Sequence, residues 1–259
     1  MTHLVPSSRP SEPPSPPSGG VGHPDEASPG RAGPSEQGTG SRHRPVTVAL
    51  ATVVVAYVAL TGLLVGAGAL LVDDLGDVRR WDVSVNRWFV GVRDGWIDRA
   101  TWVGSHLAET MTVVALGAVV VVVLWHRRDR WAATLIVVSL GLEVAVFLTT
   151  TMLVDRHRPP VHRLDGAPPT SSFPSGHTAA ACALYLGLVV VLNRDVRSSV
   201  MRTLLIVLAA LVPIVVGVSR LYRGMHQPTD VFAGALLGIA CLAVAWRVSN
   251  VTDMEDSTV

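Results

Sequence analysis

The chain has 259 residues, enough for one domain of ordinary size and a tail. Apolar residues make up 49% and charged residues 16%, a balance shifted from the soluble average toward membrane proteins. A formal net charge of +1 argues against a nucleic-acid partner, and the two cysteines, Cys182 and Cys241, fall inside apolar runs rather than in a disulfide or metal-ligand pattern. All 21 basic residues are arginine, which, with the abundance of Ala, Val and Gly, points to a GC-rich bacterial genome.

Residues 1–45 hold ten of the 17 prolines, seven glycines, eight serines and no Phe, Trp or Tyr. Such a segment cannot bury enough apolar surface to offset its ordering entropy, so it is predicted to be a disordered tail. Its start lacks the basic region and apolar stretch of a signal peptide.

At Val46 the composition changes. Six apolar stretches follow, at 46–72, 106–125, 132–154, 177–193, 203–219 and 229–247. A helix needs about 20 apolar residues to cross the hydrocarbon core, and only a helix satisfies its own backbone there. The prediction is an all-α integral membrane protein: a six-transmembrane-helix bundle over 46–247, with a short tail at 248–259. Pro213 is expected to kink the fifth span.

Arginine placement orients the bundle. Arg127, Arg128 and Arg130 fill one short connection and Arg194, Arg197 and Arg202 another; Arg42 and Arg44 precede the first span and Arg247 ends the last. In a six-span topology all four groups share one side, which the positive-inside rule makes cytoplasmic, with both termini. Segment 73–105 then lies outside. Its stretch Asp82–Arg93 reads as an amphipathic interfacial anchor, with Trp81, Trp88, Trp96 and Trp102 at headgroup depth.

Three polar clusters fall at the outer ends of these spans. They are Arg156-His157-Arg158-Pro159-Pro160, Pro174-Ser175-Gly176-His177, and Ser219-Arg220 followed by His226 and Asp230. Polar groups so placed are costly in a membrane protein and point to function. Arg158 and Arg220 are permanently charged forks that suit phosphate oxygens. Ser175 and Gly176 precede a helix whose first N–H groups form an anion site. Pro228 suits the first turn of the sixth span, and Asp230 is then placed to accept a hydrogen bond from one ring nitrogen of His226, leaving the other as nucleophile. His177 is positioned to protonate a leaving oxygen. Arg156, His157, His162 and Arg163 read as solvated neighbours, and His106 and Glu109 as interfacial residues. Glu143, near the middle of the third span, reads as a structural carboxyl that is protonated or paired.

Arg-Pro, then Pro-Ser-Gly-His, then Ser-Arg-x5-His-x3-Asp, in that order, resembles the type 2 phosphatidic acid phosphatase (lipid phosphate phosphatase) superfamily, over about residues 46 to 247. The resemblance implies a phosphohistidine mechanism with no metal and no cofactor. His226 attacks phosphorus, Asp230 orients it and His177 protonates the departing group. Arg158, Arg220, Ser175, Gly176 and Ser219 hold the phosphoryl oxygens. The family's first cluster begins with a lysine seven residues before its Arg-Pro; this chain has Thr151 there, a hydroxyl without charge, for which Arg156 is a candidate replacement. The expected activity is hydrolysis of a lipid phosphate or diphosphate at the outer face of the plasma membrane. Phosphatidic acid, phosphatidylglycerol phosphate and undecaprenyl diphosphate are the substrates the family implies. The alternatives are a phosphotransferase using the same intermediate and a weakly catalytic lipid-phosphate binder; six apolar spans exclude the soluble haloperoxidases that share these motifs.

Overall fold

The computed structural model describes residues 44–73, 75–166 and 169–256; the tail predicted over 1–45 lies outside them except for Arg44 and Pro45, which open the first helix. The described residues form helices and connecting turns, with no strand among them. They are α1 (Arg44–Asp73), α2 (Gly76–Gly91), α3 (Gly95–His106), α4 (Thr110–His126), α5 (Arg130–Leu153), α6 (Gly176–Ala181), α7 (Gly187–Asp195), α8 (Ser199–Tyr222) and α9 (Pro228–Asp256). A π-helical turn, Cys182–Leu186, joins α6 to α7, so Gly176–Asp195 is one 20-residue membrane span with a local widening.

Among the described residues five helices are long and apolar enough to cross a membrane, and α3 with α4, bent by 45°, makes the sixth. The protein is a multi-pass membrane protein. The second span departs from the stretch expected at 106–125. His106 closes α3, its ring nitrogen Nδ1 2.7 Å from Trp102 O, and pairs with Glu109 at 3.4 Å across the turn; α4 starts afresh at Thr110. The last helix runs past 247 to Asp256 because its end is held: Trp131 Nε1 donates to Asn250 Oδ1 (2.8 Å), and Val248 and Ser249 are buried. Pro213 lies inside α8, which continues through it to Tyr222.

Lipid is as apolar as leucine, so helices in a bilayer associate through close packing and small residues rather than by escape from water. Here α5 packs mainly on α9, and also on α1 and α4; α6 lies between α8 and α9. Leu135, Ile136, Val146, Leu184, Val216 and Leu237 fill the buried seams, while Val54, Val55, Val58 and Leu63 of α1 face outward. Two glycines set the closest approach. A Cβ on Gly234 would overlap Ser175 O, and one on Gly238 would overlap Ala179 O. Both lie on α9 against the start of α6, and the contact brings the Pro-Ser-Gly-His turn onto the first turns of α9.

Candidate active site

Local sequence builds each edge of the site. Pro159 and Pro160 keep the chain after α5 extended. Gly224, at φ +70°, ends α8 with Gly224 N donating to Leu221 O (3.0 Å) and Met225 N to Arg220 O (3.0 Å), a left-handed closure that glycine supplies without strain. Pro228 opens α9, and Asp230 in its first turn accepts from Gln227 N at 2.8 Å, the reciprocal half of a capping box. Ser175 N donates to Asp230 O at 2.9 Å, which stitches the second cluster to the third.

The three clusters meet at one cavity of about 450 Å³. Arg158, Gly176, His177, Arg220, His226 and Thr151 line its polar end. Val113, Val114, Val144, Phe147 and Leu148 line the remainder, with Glu143 among them. Arg158 donates through one terminal nitrogen to Met225 O (2.8 Å), and Arg220 donates to Ser105 Oγ (2.7 Å). The Nε–H of each guanidinium is buried without an acceptor among the described residues. A buried donor left unmade costs about 1–3 kcal/mol, and both guanidinium groups belong to residues that line this cavity. Burial draws the Arg158 pKa below the ordinary guanidinium value, against the pull of Asp230 in the other direction. An anion between the two forks would offset that desolvation.

His226 is buried, with Nδ1 2.8 Å from Ser172 O and 3.7 Å from Asp230 Oδ2. The ring therefore donates Nδ1–H to the Ser172 carbonyl and keeps the Nε2 lone pair free. This differs from the expected direct bond to Asp230. The carboxylate's oxygens are engaged by Arg156 and by Gln227 N, so Asp230 acts on the ring from beyond hydrogen-bond distance. Burial pushes the His226 pKa below the usual imidazole value, and Asp230 partly counters it.

Two expected phosphate contacts are turned elsewhere. Ser219 is buried against α3, where a Cβ on Gly104 would overlap its hydroxyl, and Ser175 Oγ lies 3.1 Å from Thr178 Oγ1; neither side chain lines the cavity. Thr151 does line it, but its hydroxyl donates back to Leu148 O at 2.9 Å. His157, His162 and Arg163 are exposed, as expected.

Arg156 is neither a solvated neighbour nor a replacement for the missing lysine. It is 5% exposed and binds Asp230, Gln227 Oε1, Thr229 Oγ1 (2.8 Å) and Asp82 Oδ2 (2.7 Å). Asp82 is fully buried and also accepts from Thr229 N (3.1 Å) and Oγ1 (2.6 Å), while Asn86 Nδ2 donates to His226 O at 2.9 Å. The amphipathic helix read as a surface anchor thus holds the loop that carries His226. Trp81 and Trp88 remain exposed on it, so the anchor reading fits one face and the site uses the other. A signal was present: Asp82 and Asn86 are four apart, one stripe of a helix. Asp165 was also missed. It accepts from Arg223 Nε (2.7 Å) and Arg220 (3.4 Å); burial alone would raise its pKa, but Arg223 and then Arg220 hold it below the usual carboxylate range.

Among the described residues no group of three His, Cys, Asp or Glu is arranged to hold a metal ion.

A helical membrane bundle with two histidines and two arginine forks around one cavity is what the fold and the site define. Residues 132–253 match the PAP2 superfamily model. It is 25% identical over 167 residues to a phosphatidylglycerophosphatase B of Bacillus subtilis, covering 62% of this chain and 80% of that one. A probable lipid phosphate phosphatase 4 of Arabidopsis thaliana is 43% identical over 75 residues, 26% of this chain and 24% of its own. The fold is similar to that of a transmembrane PAP2-type phosphatidylglycerolphosphate phosphatase from Bacillus subtilis, with TM-score 0.63 and 21% identity over 82% of this chain and 97% of the other. Aquifex aeolicus LpxE gives TM-score 0.51 and 22% identity over 63% of this chain and 93% of its own.

Proposed function

We propose that the protein is a lipid phosphate phosphatase that works through a phosphohistidine at His226, without a metal, on the extracytoplasmic side. The observation that carries this reading is the single cavity where His226, His177, Arg158 and Arg220 meet, with two unsatisfied guanidinium N–H groups and an apolar continuation for acyl or prenyl chains. The lipid phosphates named for its relatives fit such a cavity.

In the proposed reaction the phosphoryl group lies between the forks of Arg158 and Arg220, near the backbone at Gly176. His226 Nε2 attacks phosphorus while Nδ1–H stays on the Ser172 carbonyl, and the bond from phosphorus to the lipid oxygen breaks. His177 gives its proton to that oxygen, releasing the lipid alcohol or, from a diphosphate, the lipid monophosphate. A water then attacks the phosphohistidine, His177 takes its proton, and inorganic phosphate leaves with His226 restored. The arginines stabilise the charge that spreads over the equatorial oxygens. No divalent ion is required, since the forks already supply that charge and both carboxylates behind the site are held by Arg156.

The site lies at the C-terminal end of α5, opposite the arginine-rich turns 127–130 and 194–202, and the positive-inside rule supports an outward-facing site. The test is phosphate release from a panel of lipid phosphates by purified protein in buffer containing EDTA. Release by the wild type and none by His226→Ala is the expected result. Equal turnover by both overturns the mechanism.

A further inference from the structure

Glu143 is unexplained by the reaction just described. It is 2% exposed, has no hydrogen bond to any described residue, and belongs to the lining of the same cavity as His177, His226 and Arg220. Val113, Val144, Phe147 and Ala180 line the cavity with it, and the buried Cys182 and Cys241 lie near its carboxyl. Its depth is set by α5. Phe147, one helical turn nearer the site, lies against Gly176, where a Cβ would meet its ring at 2.8 Å. Glu143 therefore sits about 6 Å below the level of the Pro-Ser-Gly-His turn, at 1.5 Å rise per residue.

A carboxyl with no cationic partner, among apolar side chains and two thiols that are weak donors, is costly unless something in the cavity bonds it. Its uncharged form donates through O–H and accepts through C=O. What reaches that point is the part of the substrate a few bonds below its phosphate. In a diacylglycerol phosphate this is the ester carbonyl, about five bonds from phosphorus; in a prenyl phosphate it is bare hydrocarbon.

Resting on the phosphatase reading, we propose that Glu143 is a specificity-determining residue that hydrogen-bonds an ester carbonyl of a glycerolipid substrate, so that the cavity selects acyl glycerol phosphates over prenyl phosphates.

The experiment compares short-chain diacylglycerol phosphate, its dialkyl ether analogue and farnesyl phosphate, each with wild type, Glu143→Leu and Glu143→Gln. A neutral hydrogen bond predicts that Glu143→Leu lowers kcat/KM on the ester about three- to tenfold, mostly through KM. The ether and farnesyl substrates should change by less than about twofold, and Glu143→Gln, which keeps a donor, should retain the ester preference. A uniform loss on all three lipids would make Glu143 a structural residue and overturn the proposal, as would no change on the ester. A wild type inert on every lipid phosphate tested would instead overturn the phosphatase reading, and the proposal with it.

Discussion

Arg156 is the side chain whose removal the structure makes most costly. It is 5% exposed and stands between two carboxylates, Asp82 and Asp230, that are both 0% exposed. Arg156→Ala leaves two buried like charges facing each other, with Gln227 Oε1 and Thr229 Oγ1 also deprived of their donor. Removing one partner of a buried ion pair typically costs about 3–5 kcal/mol. At about 2–4 °C per kcal/mol for a domain of this size, melting in detergent should fall by roughly 6–20 °C. Activity should fall further than folding. Asp230 sets the environment of His226 and caps α9 beside it, and a shift of about 1 Å in a reacting group costs on the order of 100-fold. Pairing Arg156→Gln with Asp82→Asn removes one charge of each sign, so it should recover much of the lost melting temperature without restoring full turnover. The assay is thermal unfolding alongside phosphate release at a temperature where every variant is folded. An Arg156→Ala protein melting within about 2 °C of wild type, with turnover intact, would refute the strut.

The remaining predictions concern the ring, the missing lysine and the topology. Because burial depresses the His226 pKa, the ring stays unprotonated to lower pH, so the acid limb of kcat/KM should fall below the ordinary histidine value of about 6.5. Asp230→Asn removes the carboxylate that opposes this shift, so its acid limb should move lower still; a move upward would contradict the assignment. Thr151→Lys puts a cation on the cavity wall and should tighten inhibition by inorganic phosphate about tenfold, a charge-assisted bond being worth about 1.5–3 kcal/mol. Unchanged inhibition would mean that the phosphate lies out of reach of this wall. With Cys182 and Cys241 replaced by alanine, Gly166→Cys should react with an impermeant thiol reagent in intact cells and Arg197→Cys should not; the reverse pattern would turn the site to the cytoplasm.

The spans and the three clusters were legible because each is a local signal: hydropathy over one helix, or polar residues at fixed spacing on its end. The bend between α3 and α4 was not, since Leu107 and Ala108 are apolar enough to belong to either helix. What closes α3 is the His106 side chain reaching back to Trp102 O. Arg156 was misjudged for a similar reason. Its partners Asp82 and Asp230 each lie 74 residues away, in opposite directions along the chain, and no periodicity connects them. Ser219 differs the other way: the motif specifies the residue, but its hydroxyl is packed against Gly104 of α3 and not on the cavity wall.

Arg156 and Arg158, two positions apart, show how the same side chain is given opposite work. A regular strand would put residues two apart on one face, so the split between them comes from their different partners and not from alternation. Arg156 points toward α2 and α9, where two carboxylates and two neutral oxygens take its four terminal N–H groups and it becomes a fixed part of the fold. Arg158 points into the cavity, where one carbonyl holds a terminal nitrogen and Nε is left unmatched. The tightly bound guanidinium stiffens the loop that carries the less tightly bound one. On the phosphatase reading the site needs both, because a cation stays at a cavity only while its backbone is prevented from turning it toward some other acceptor.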